Sequence, residues 1–359
     1  MSAAAGSKWD AWVMTGVGAP LERRELPAHS PAPGEAIIAV AGCGVCHTDL
    51  SFLMHGVKTH KEPPLVLGHE ISGIVSEVGE GCDSALVGRP VIVPAVLPCG
   101  ECDLCLGGAR TICRKQVMPG NDRDGGFASH VAVPARFLCP VPSDVLEHHE
   151  LWELAVVSDA VATPFQAVRR SELKPGEVAL FVGVGGIGLH GVQIAVAVGA
   201  TVVALDVDAA KLEQAAAVGA HATLNVTGLA TKEVRRQVRD LVASLGAPAH
   251  LWKIFETSGT RSGQETAYAL LGFGASLAVV GFTAERIELC LSNLMAFDAV
   301  VRGNWGADPI VYDEVLQWMA EGRIKVRPFV ERRALSQINE VFNEAHHGKL
   351  LRRVVLVPG

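Results

Sequence analysis

The stretch from residue 178 to residue 206 constrains the fold of this chain more than any other. It reads VALFVGVGGIGLHGVQIAVAVGATVVALD, an apolar run, a glycine cluster, a longer apolar run and a third that ends in an acid. A strand, a tight turn, a buried helix and a second strand explain this order. Residues 178–205 carry no formal charge over 28 residues, a length that would also suit a membrane helix, but six glycines, His190 and Gln193 argue against one.

The remainder of the chain shows two different patterns of hydrophobic residues. Before about residue 160, apolar runs such as EAIIAVAGCG and HEISGIVSEVG are broken by Gly and Pro and predict the strands and turns of a β-rich or α+β domain. From about Leu173, strands alternate with amphipathic helices, including helices near residues 233–245 and 264–271, as in a parallel sheet. The segment ALSQINEVFNEAHHGKLLRRVVLVPG predicts a final helix and strand.

Composition excludes several classes of protein. The chain has 359 residues, 49% of them hydrophobic and 19% charged, and a net charge of −7. This excludes disorder and a protein that coats nucleic acid, and the length suggests about two domains. The N-terminus has no basic region followed by an apolar run, so we predict no signal peptide, no membrane partner and a cytoplasmic location.

The glycine cluster predicts a dinucleotide site. Gly183, Gly185 and Gly188 form Gly-x-Gly-x-x-Gly between an apolar strand and a helix, where glycines allow close approach of a pyrophosphate to the helix N-terminus. Asp206 ends the next strand, eighteen residues after Gly188. A carboxylate there accepts hydrogen bonds from a ribose hydroxyl and repels a 2′-phosphate, which favours NAD over NADP. The alternative is a tight turn with no ligand.

Nine cysteines, an odd number, do not suit a secreted disulfide framework. Cys99, Cys102, Cys105 and Cys113 form C-x2-C-x2-C-x7-C within one short loop, and four thiolates at this spacing can close a tetrahedron around a structural zinc. An iron–sulfur cluster and unrelated buried thiols are the alternatives. A nucleic-acid-binding zinc ribbon is disfavoured because no basic stripe flanks the loop.

A second candidate metal set is dispersed along the chain. Cys46 lies in CGVCHTD, His69 and Glu70 lie in LGHEISG, and Asp159 lies in VVSDAVATPF. A thiolate, an imidazole and carboxylates suit a metal with three protein ligands and one open position. Spacing alone would not bring them together, and singly His69 is typical of a core histidine and Cys46 of a small buried residue.

Several motifs together resemble the zinc-containing medium-chain alcohol dehydrogenases. CGVCHTDL, PPLVLGHEISG, the four-cysteine loop, GGFASHVAVP and GVGGIG occur in the order found in that family. The resemblance covers essentially the whole chain. It implies an α/β protein with a GroES-like β-rich catalytic domain over residues 1–162, a Rossmann domain with a doubly wound parallel sheet over residues 163–303, and a return to the catalytic domain over residues 304–359.

The resemblance implies roles for the dispersed residues. Cys46 and His69 would bind a catalytic zinc, and Glu70 would be an exchangeable ligand or a support beside the metal. Asp159 stands where many relatives have a cysteine and would be the third ligand, making the metal more Lewis-acidic. Asp49 would orient His69.

The resemblance also implies a proton path and cofactor contacts. Thr48 would hand on the substrate proton, and Ser51 replaces the histidine that ends this path in some relatives. The residues expected to contact NAD are His47, Gly183, Gly185, Gly186, Ile187, Gly188, Asp206, Lys211, Ser258, Val280 and Arg302.

The implied activity is oxidation of a secondary alcohol, expected to be cyclic, to a ketone by hydride transfer to NAD, in a homodimer or homotetramer with two zinc ions per chain. AGCGVCHTDL, VIVPAVLPC, MPGN and VVSDAVATPFQA resemble dehydrogenases of 6-hydroxycyclohex-1-ene-1-carbonyl-CoA. Other aliphatic or aromatic alcohols, reduction of a ketone or conjugated alkene, and a scaffold without catalytic metal are alternatives. A CoA thioester requires basic groups, for which the candidates are Lys58, His60, Lys61, Arg123 and Arg302, although each is typical of an ordinary surface charge.

Overall fold

The computed structural model describes residues 7–359, which divide into two compact units. Unit 1 comprises the chain up to Ala162 together with Gly306–Glu321 and Lys325–Gly359. Unit 2 comprises Thr163–Trp305 and Gly322–Ile324. Unit 2 is therefore an insertion in the chain of unit 1.

Unit 1 begins with a run of short strands and helices. They are β1 (Lys8–Met14), β2 (Glu22–Pro27), β3 (Glu35–Gly44), α1 (His47–His55), β4 (Leu65–Val66), β5 (Glu70–Val78), β6 (Pro90–Val93), α2 (Asp103–Leu106), β7 (His130–Pro134), β8 (Cys139–Pro140) and α3 (Ser143–His148). A 3-10 segment, Leu151–Ser158, follows, and six of its eight residues are buried.

Unit 2 alternates strands and helices. Its elements are α4 (Ala162–Arg170), β9 (Val178–Val182), α5 (Gly186–Val198), β10 (Thr201–Asp206), α6 (Ala209–Ala217), β11 (Ala222–Asn225), α7 (Thr231–Ser244), β12 (Lys253–Glu256), α8 (Arg261–Ala269), β13 (Ser276–Val279), α9 (Ser292–Phe297) and β14 (Val300–Gly303). The strands form one parallel sheet in the order β11-β10-β9-β12-β13-β14. The order reverses between β9 and β12, and ligands of such sheets bind at the carboxyl ends of the strands at this switch point.

The chain then returns to unit 1 with α10 (Tyr312–Ala320), β15 (Val330–Ala334), α11 (Ile338–His346) and β16 (Arg353–Val357). A mixed sheet runs β15-β16-β3-β5-β6-β8, with β7 also paired to β3, and a three-stranded sheet runs β2-β1-β4. The predicted final helix and strand, the helices near residues 233–245 and 264–271, and the combination of a β-rich domain with a doubly wound parallel sheet are confirmed.

Each unit has its own apolar core. In unit 1, buried residues of β3 and β5 pack with Phe127 and Phe342, whose rings meet edge to face. In unit 2, Leu180 and Ile254 lie in the sheet beneath Val238 of α7. Across residues 7–359, every helix is too short or too polar to cross a bilayer. The charge-free run from residue 178 is a strand, a helix and a second strand.

Candidate metal centres and cofactor site

Three separate segments of unit 1 bring the dispersed candidate ligands together. Cys46 lies between β3 and the first residue of α1, His69 and Glu70 lie at the start of β5, and Asp159 follows the 3-10 segment. One potential ligand atom from each of these four residues lies within 4.8 Å of the others. The hydroxyl of Ser158 donates to the backbone oxygen of His69 at 3.1 Å, which joins the segment of Asp159 to that of His69.

The distances within this group suit a small cation. The Oδ2 atom of Asp159 lies 3.8 Å from the Cys46 sulfur and 3.7 Å from Nε2 of His69. These separations are close to the edges of a tetrahedron of N, O and S ligands at about 2.0–2.3 Å from zinc. Cys46 is 5% exposed and His69 is 2% exposed, so the ligand atoms are largely shielded from water. The donor set and its geometry fit zinc.

Asp49 holds the segments of Cys46 and His69 in place. Its Oδ2 atom accepts from the backbone N–H of Cys46 at 3.0 Å, and its Oδ1 atom accepts from that of Gly68 at 3.1 Å. Oδ1 also lies 3.4 Å from Nδ1 of His69, which is buried and has no aligned hydrogen bond. Burial alone lowers the pKa of His69, but Asp49 and Asp159 raise it more, so this pKa lies well above its usual value.

Glu70 is held by an arginine that the sequence analysis missed. Its Oε2 atom accepts from Nε of Arg353 at 2.7 Å, and its Oε1 atom accepts from Nη2 at 2.5 Å and from the backbone N–H of Ala160 at 3.1 Å. A Cβ at Gly44 would lie only 2.0 Å from Glu70 Oε2, so this position requires glycine. The only sequence signal for Arg353 is a charged residue that opens the apolar strand RVVLV.

Thr48 and Ser51 lie on α1 beside the metal group. The Thr48 hydroxyl is 3.7 Å from the Cys46 sulfur. The hydroxyl of Ser51 donates to the backbone oxygen of His47 at 2.9 Å, while the side chain of His47 is exposed. Thr48 therefore lies next to the candidate ligands, whereas the proton of Ser51 is directed toward the backbone.

The four cysteines of the second cluster also converge. The Cys113 sulfur lies 3.5 Å from that of Cys99 and 3.8 Å from that of Cys102, and the sulfurs of Cys99 and Cys105 are 3.9 Å apart. A zinc tetrahedron with bonds of about 2.3 Å has sulfur–sulfur edges of about 3.8 Å. A backbone hydrogen bond from Glu101 lowers the pKa of Cys99 to about 6, whereas burial raises the pKa of Cys105 to about 12. The cluster fits a closed zinc site.

The predicted dinucleotide turn lies at the switch point of the sheet in unit 2. Gly183 follows β9 with φ +90°, and α5 begins at Gly186, so Gly185, Ile187 and Gly188 belong to the turn and the first helical residues. A Cβ at Gly188 would lie 2.0 Å from the Gly183 oxygen. Close packing of the helix against the strand therefore requires glycine here.

Asp206 ties the end of β10 to this turn. Its Oδ2 atom accepts from the N–H of Val184 at 2.8 Å, and its Oδ1 atom accepts from the N–H groups of Val207 at 2.8 Å and Asp208 at 3.0 Å. Lys211 lies on α6, 4.0 Å from Asp208. The carboxylate thus stands where the sequence placed it, beside the glycine turn.

The other predicted cofactor contacts of unit 2 lie at different distances from the turn. Ser258 abuts Gly183, because a Cβ there would be 2.5 Å from the Ser258 Cα. Val280 directly follows β13 at the same edge of the sheet. Arg302 is exposed on β14, where its Nη1 atom lies 3.4 Å from the backbone oxygen of Arg170.

Three of the five basic candidates for a CoA site are paired with carboxylates. His60 contacts Asp122 at 2.5 Å, Lys61 contacts Asp124 at 2.6 Å, and Arg123 contacts Glu35 at 2.8 Å. Lys58 is exposed. Each of these three basic side chains is therefore paired with an acid from a remote segment of the chain.

The comparisons with known proteins agree with this geometry. Residues 32–143 match the alcohol dehydrogenase GroES-like domain, and residues 186–321 match the zinc-binding dehydrogenase domain. An alcohol dehydrogenase of Geobacillus stearothermophilus is 33% identical over 337 residues, which cover 94% of this chain and 95% of that protein.

Solved structures with the same fold cover nearly the whole chain. The alcohol dehydrogenase of the archaeon Aeropyrum pernix has a TM-score of 0.86 at 28% identity, with 97% of this chain and 100% of that chain covered. A protein of Sinorhizobium meliloti described as a zinc-binding dehydrogenase, bound to NADP, has a TM-score of 0.84 at 26% identity, with 98% and 100% covered. This chain belongs to the zinc-containing alcohol dehydrogenase family, whose members are oxidoreductases that use zinc and a nicotinamide cofactor.

Proposed function

We propose that this protein interconverts a secondary alcohol and its ketone by hydride transfer to and from NAD. The observation that carries the proposal is the convergence of Cys46, His69 and Asp159 in a buried group with the Thr48 hydroxyl 3.7 Å from the Cys46 sulfur. Three protein ligands leave a fourth position on a tetrahedral ion for substrate.

We assign Glu70 to the support of this group rather than to its resting ligands. Both carboxylate oxygens of Glu70 accept hydrogen bonds from Arg353, and one also accepts from Ala160. Zinc, when bound, acts as a Lewis acid that favours loss of the alcohol proton near neutral pH. The Thr48 hydroxyl is placed to accept that proton. Ser51 would extend the path only after its hydroxyl turns away from the backbone oxygen of His47.

Asp206 supports NAD rather than NADP as the cofactor. Its carboxylate lies beside the glycine turn, where the negative charge would repel a 2′-phosphate. Measurement of the Kd for NADH and NADPH tests this proposal, with tighter binding of NADH as the expected result. Tighter binding of NADPH would contradict it.

A CoA thioester is the less favoured substrate. The basic side chains of His60, Lys61 and Arg123 contact carboxylates at 2.5–2.8 Å, so these three of the five candidates offer little unpaired positive charge to the phosphates of CoA. A cyclic hydroxyacyl-CoA nevertheless belongs in the assay panel beside simple secondary and primary alcohols. If the protein turned over the CoA thioester and none of the simple alcohols, the thioester would become the favoured substrate.

Steady-state assays of the zinc-loaded protein test the activity. Thr48→Ala is expected to lower kcat by about 100-fold or more, because positioned proton transfer contributes about 10²–10⁴ to rate. Thr48→Ser retains a hydroxyl and is the matched control, expected to keep most of the activity. A kcat for Thr48→Ala equal to that of the unsubstituted protein would refute the role of Thr48, and absence of alcohol-dependent NADH formation would refute the proposed function.

We also propose that two copies associate through unit 2. Among the described residues, β14 is the outermost strand of the parallel sheet and pairs with β13 alone. Val300 is 55% exposed, and Leu291 and Met295 nearby are 69% and 78% exposed. An edge strand beside exposed apolar side chains suits isologous pairing with a second copy. Sedimentation equilibrium should give a dimer or tetramer, and Val300→Lys should shift the equilibrium toward the monomer.

The cytoplasmic location of the protein stays a prediction.

A further inference from the structure

A buried carboxyl group lies at the switch point of the sheet in unit 2. Glu256 is the last residue of β12 and has no exposed surface. β12 lies next to β9, whose carboxyl end leads into the turn of Gly183. Glu256 therefore lies beneath the part of the sheet where the cofactor is proposed to bind.

The side chain of Glu256 gathers the donors of one loop. Its Oε1 atom accepts hydrogen bonds from the N–H of Ser258 at 2.8 Å, from the hydroxyl of Ser258 at 2.6 Å and from the N–H of Gly259 at 3.1 Å. Three donors on one oxygen define the path of the chain directly after β12. We call residues 257–260 the first loop.

The backbone of Glu256 holds a second loop. Its carbonyl oxygen accepts from the N–H groups of Val280 at 2.9 Å and Gly281 at 3.0 Å. A Cβ at Gly281 would lie 2.2 Å from the nitrogen of Gly259 and 2.8 Å from Glu256 Oε2, so the loops touch each other directly. We call residues 280–282 the second loop. One residue thus connects both loops.

The first loop in turn contacts the glycine turn. The hydroxyl of Thr257 donates to the backbone oxygen of Gly183 at 2.5 Å. A Cβ at Gly183 would lie 2.6 Å from the nitrogen of Ser258. A shift of the first loop would therefore displace the turn that is proposed to hold the pyrophosphate.

The second carboxyl oxygen of Glu256 distinguishes this residue from an ordinary structural acid. Oε2 is buried and makes no aligned hydrogen bond among the described residues. Burial raises the pKa of Glu256. A buried oxygen without an aligned hydrogen bond lowers the stability of the fold. Stability alone therefore does not account for an acid at this position, and the hydrogen bonds at Oε1 suggest a role in positioning the loop.

We infer that Glu256 is a positioning residue for cofactor binding, which fixes the first and second loops against the glycine turn. The inference rests on the proposed use of NAD. It assigns Glu256 no contact with the cofactor, since the side chain is fully buried. The part of Glu256 that matters is the acceptor at Oε1, which an amide can supply as well as a carboxylate.

Glu256→Met and Glu256→Gln separate the acceptor from the space it fills. Met fills a similar volume but accepts none of the three hydrogen bonds, so we expect the Kd for NADH to rise at least about tenfold, or about 1.4 kcal/mol. The KM for NAD should rise in parallel, while kcat at saturating NAD stays within about threefold and zinc content is unchanged. Gln retains the acceptor and should restore the Kd to within about threefold of the unsubstituted protein.

Two further variants test whether a general loss of stability could explain weaker NADH binding. Ile254→Ala opens a cavity in the same strand and leaves the residues of both loops unchanged, because Ile254 lies fully buried in the core of unit 2. It should lower the Tm with little change in the Kd for NADH. Gly281→Ala leaves Glu256 in place but forces a Cβ to within 2.2 Å of Gly259, and it should weaken NADH binding if the junction of the loops matters.

The outcomes distinguish this inference from the cofactor proposal. Failure of the unsubstituted protein to bind NADH or NADPH would overturn both. Binding by the unsubstituted protein with an unchanged Kd in a folded Glu256→Met or Gly281→Ala would overturn the inference alone. Equal weakening in Ile254→Ala, or no recovery in Glu256→Gln, would also overturn it, because the effect would then follow from stability or charge and not from the acceptor.

Discussion

Replacement of Arg353 by Met should destabilise unit 1 severely. Arg353 and Glu70 form a two-point ion pair at 2.5 and 2.7 Å, and their side chains are 8% and 0% exposed. Met preserves much of the length of the side chain but removes the charge. Among the hydrogen bonds described for Glu70, only that from Ala160 would remain. The carboxylate would then be a buried charge without its cation.

The expected loss can be bounded in two ways. Removal of one partner of a buried ion pair costs about 3–5 kcal/mol. The carboxyl group can escape this penalty by taking up a proton, which costs about 3.7 kcal/mol at pH 7 because the pH lies about 2.7 above the ordinary pKa of Glu. The two routes agree, and we expect Arg353→Met to lower the free energy of unfolding by about 3–4 kcal/mol.

Urea unfolding in excess zinc measures this loss. Tryptophan fluorescence suits the assay because four of the six tryptophans, Trp9, Trp12, Trp152 and Trp318, lie in unit 1. The double variant Arg353→Met with Glu70→Gln removes both charges and should recover most of the stability.

Lys8→Met is the control for an exposed ion pair. Lys8 pairs with Glu25, and their side chains are 60% and 64% exposed. Its loss should cost less than about 1 kcal/mol. A loss of under about 1 kcal/mol for Arg353→Met, or a double variant as unstable as the single one, would refute the reasoning.

Three further predictions concern the other sites. Cys113→Ser should reduce the zinc content of the purified protein by one ion per chain, measured by atomic absorption, and an unchanged content would exclude the four-cysteine site. Gly183→Ala should raise the Kd for NADH at least about tenfold at unchanged zinc content, because φ is +90° and a Cβ would lie 2.5 Å from Ser258. Since burial raises the pKa of Glu256, the folded protein holds its proton at pH values where the unfolded chain has lost it, so the contribution of Glu256 to stability falls as pH rises above about 4.3. Glu256→Gln removes this loss, so the Tm of the variant minus that of the unsubstituted protein should rise with pH. A difference in Tm that stays constant with pH would contradict the raised pKa of Glu256.

Features encoded within a short stretch could be predicted from the sequence. The strand, turn and helix around Gly183 follow from local hydrophobic patterning and glycine, and the cysteines from 99 to 113 share one loop, so their convergence needs no long-range folding. The candidate catalytic group is different. Cys46 and Asp159 are separated by 113 positions, and only the resemblance to a family brought them together before the structure did.

Partners that are remote in sequence and chemically ordinary could not be predicted. Arg353 is one of several arginines near the end of the chain, and nothing local connects it with Glu70. The pairing of Arg123 with Glu35 spans 88 positions and likewise escaped prediction, so the sequence alone could not show that the charge of this basic candidate is paired. Glu256 escaped because a buried acid at the end of a strand has the same sequence signature as a surface acid.

The ion pair of Glu70 and Arg353 also bears on the order in which the chain is made. The two residues are 283 positions apart, and the whole of unit 2 is synthesised between them. Unit 2 can therefore assemble before unit 1 obtains the cation that neutralises Glu70. Its folding would shorten the effective loop that must close. Until residue 353 has emerged from the ribosome, the candidate catalytic centre lacks the cation that pairs with Glu70, so the nascent chain should reach its metal-competent form only after that point.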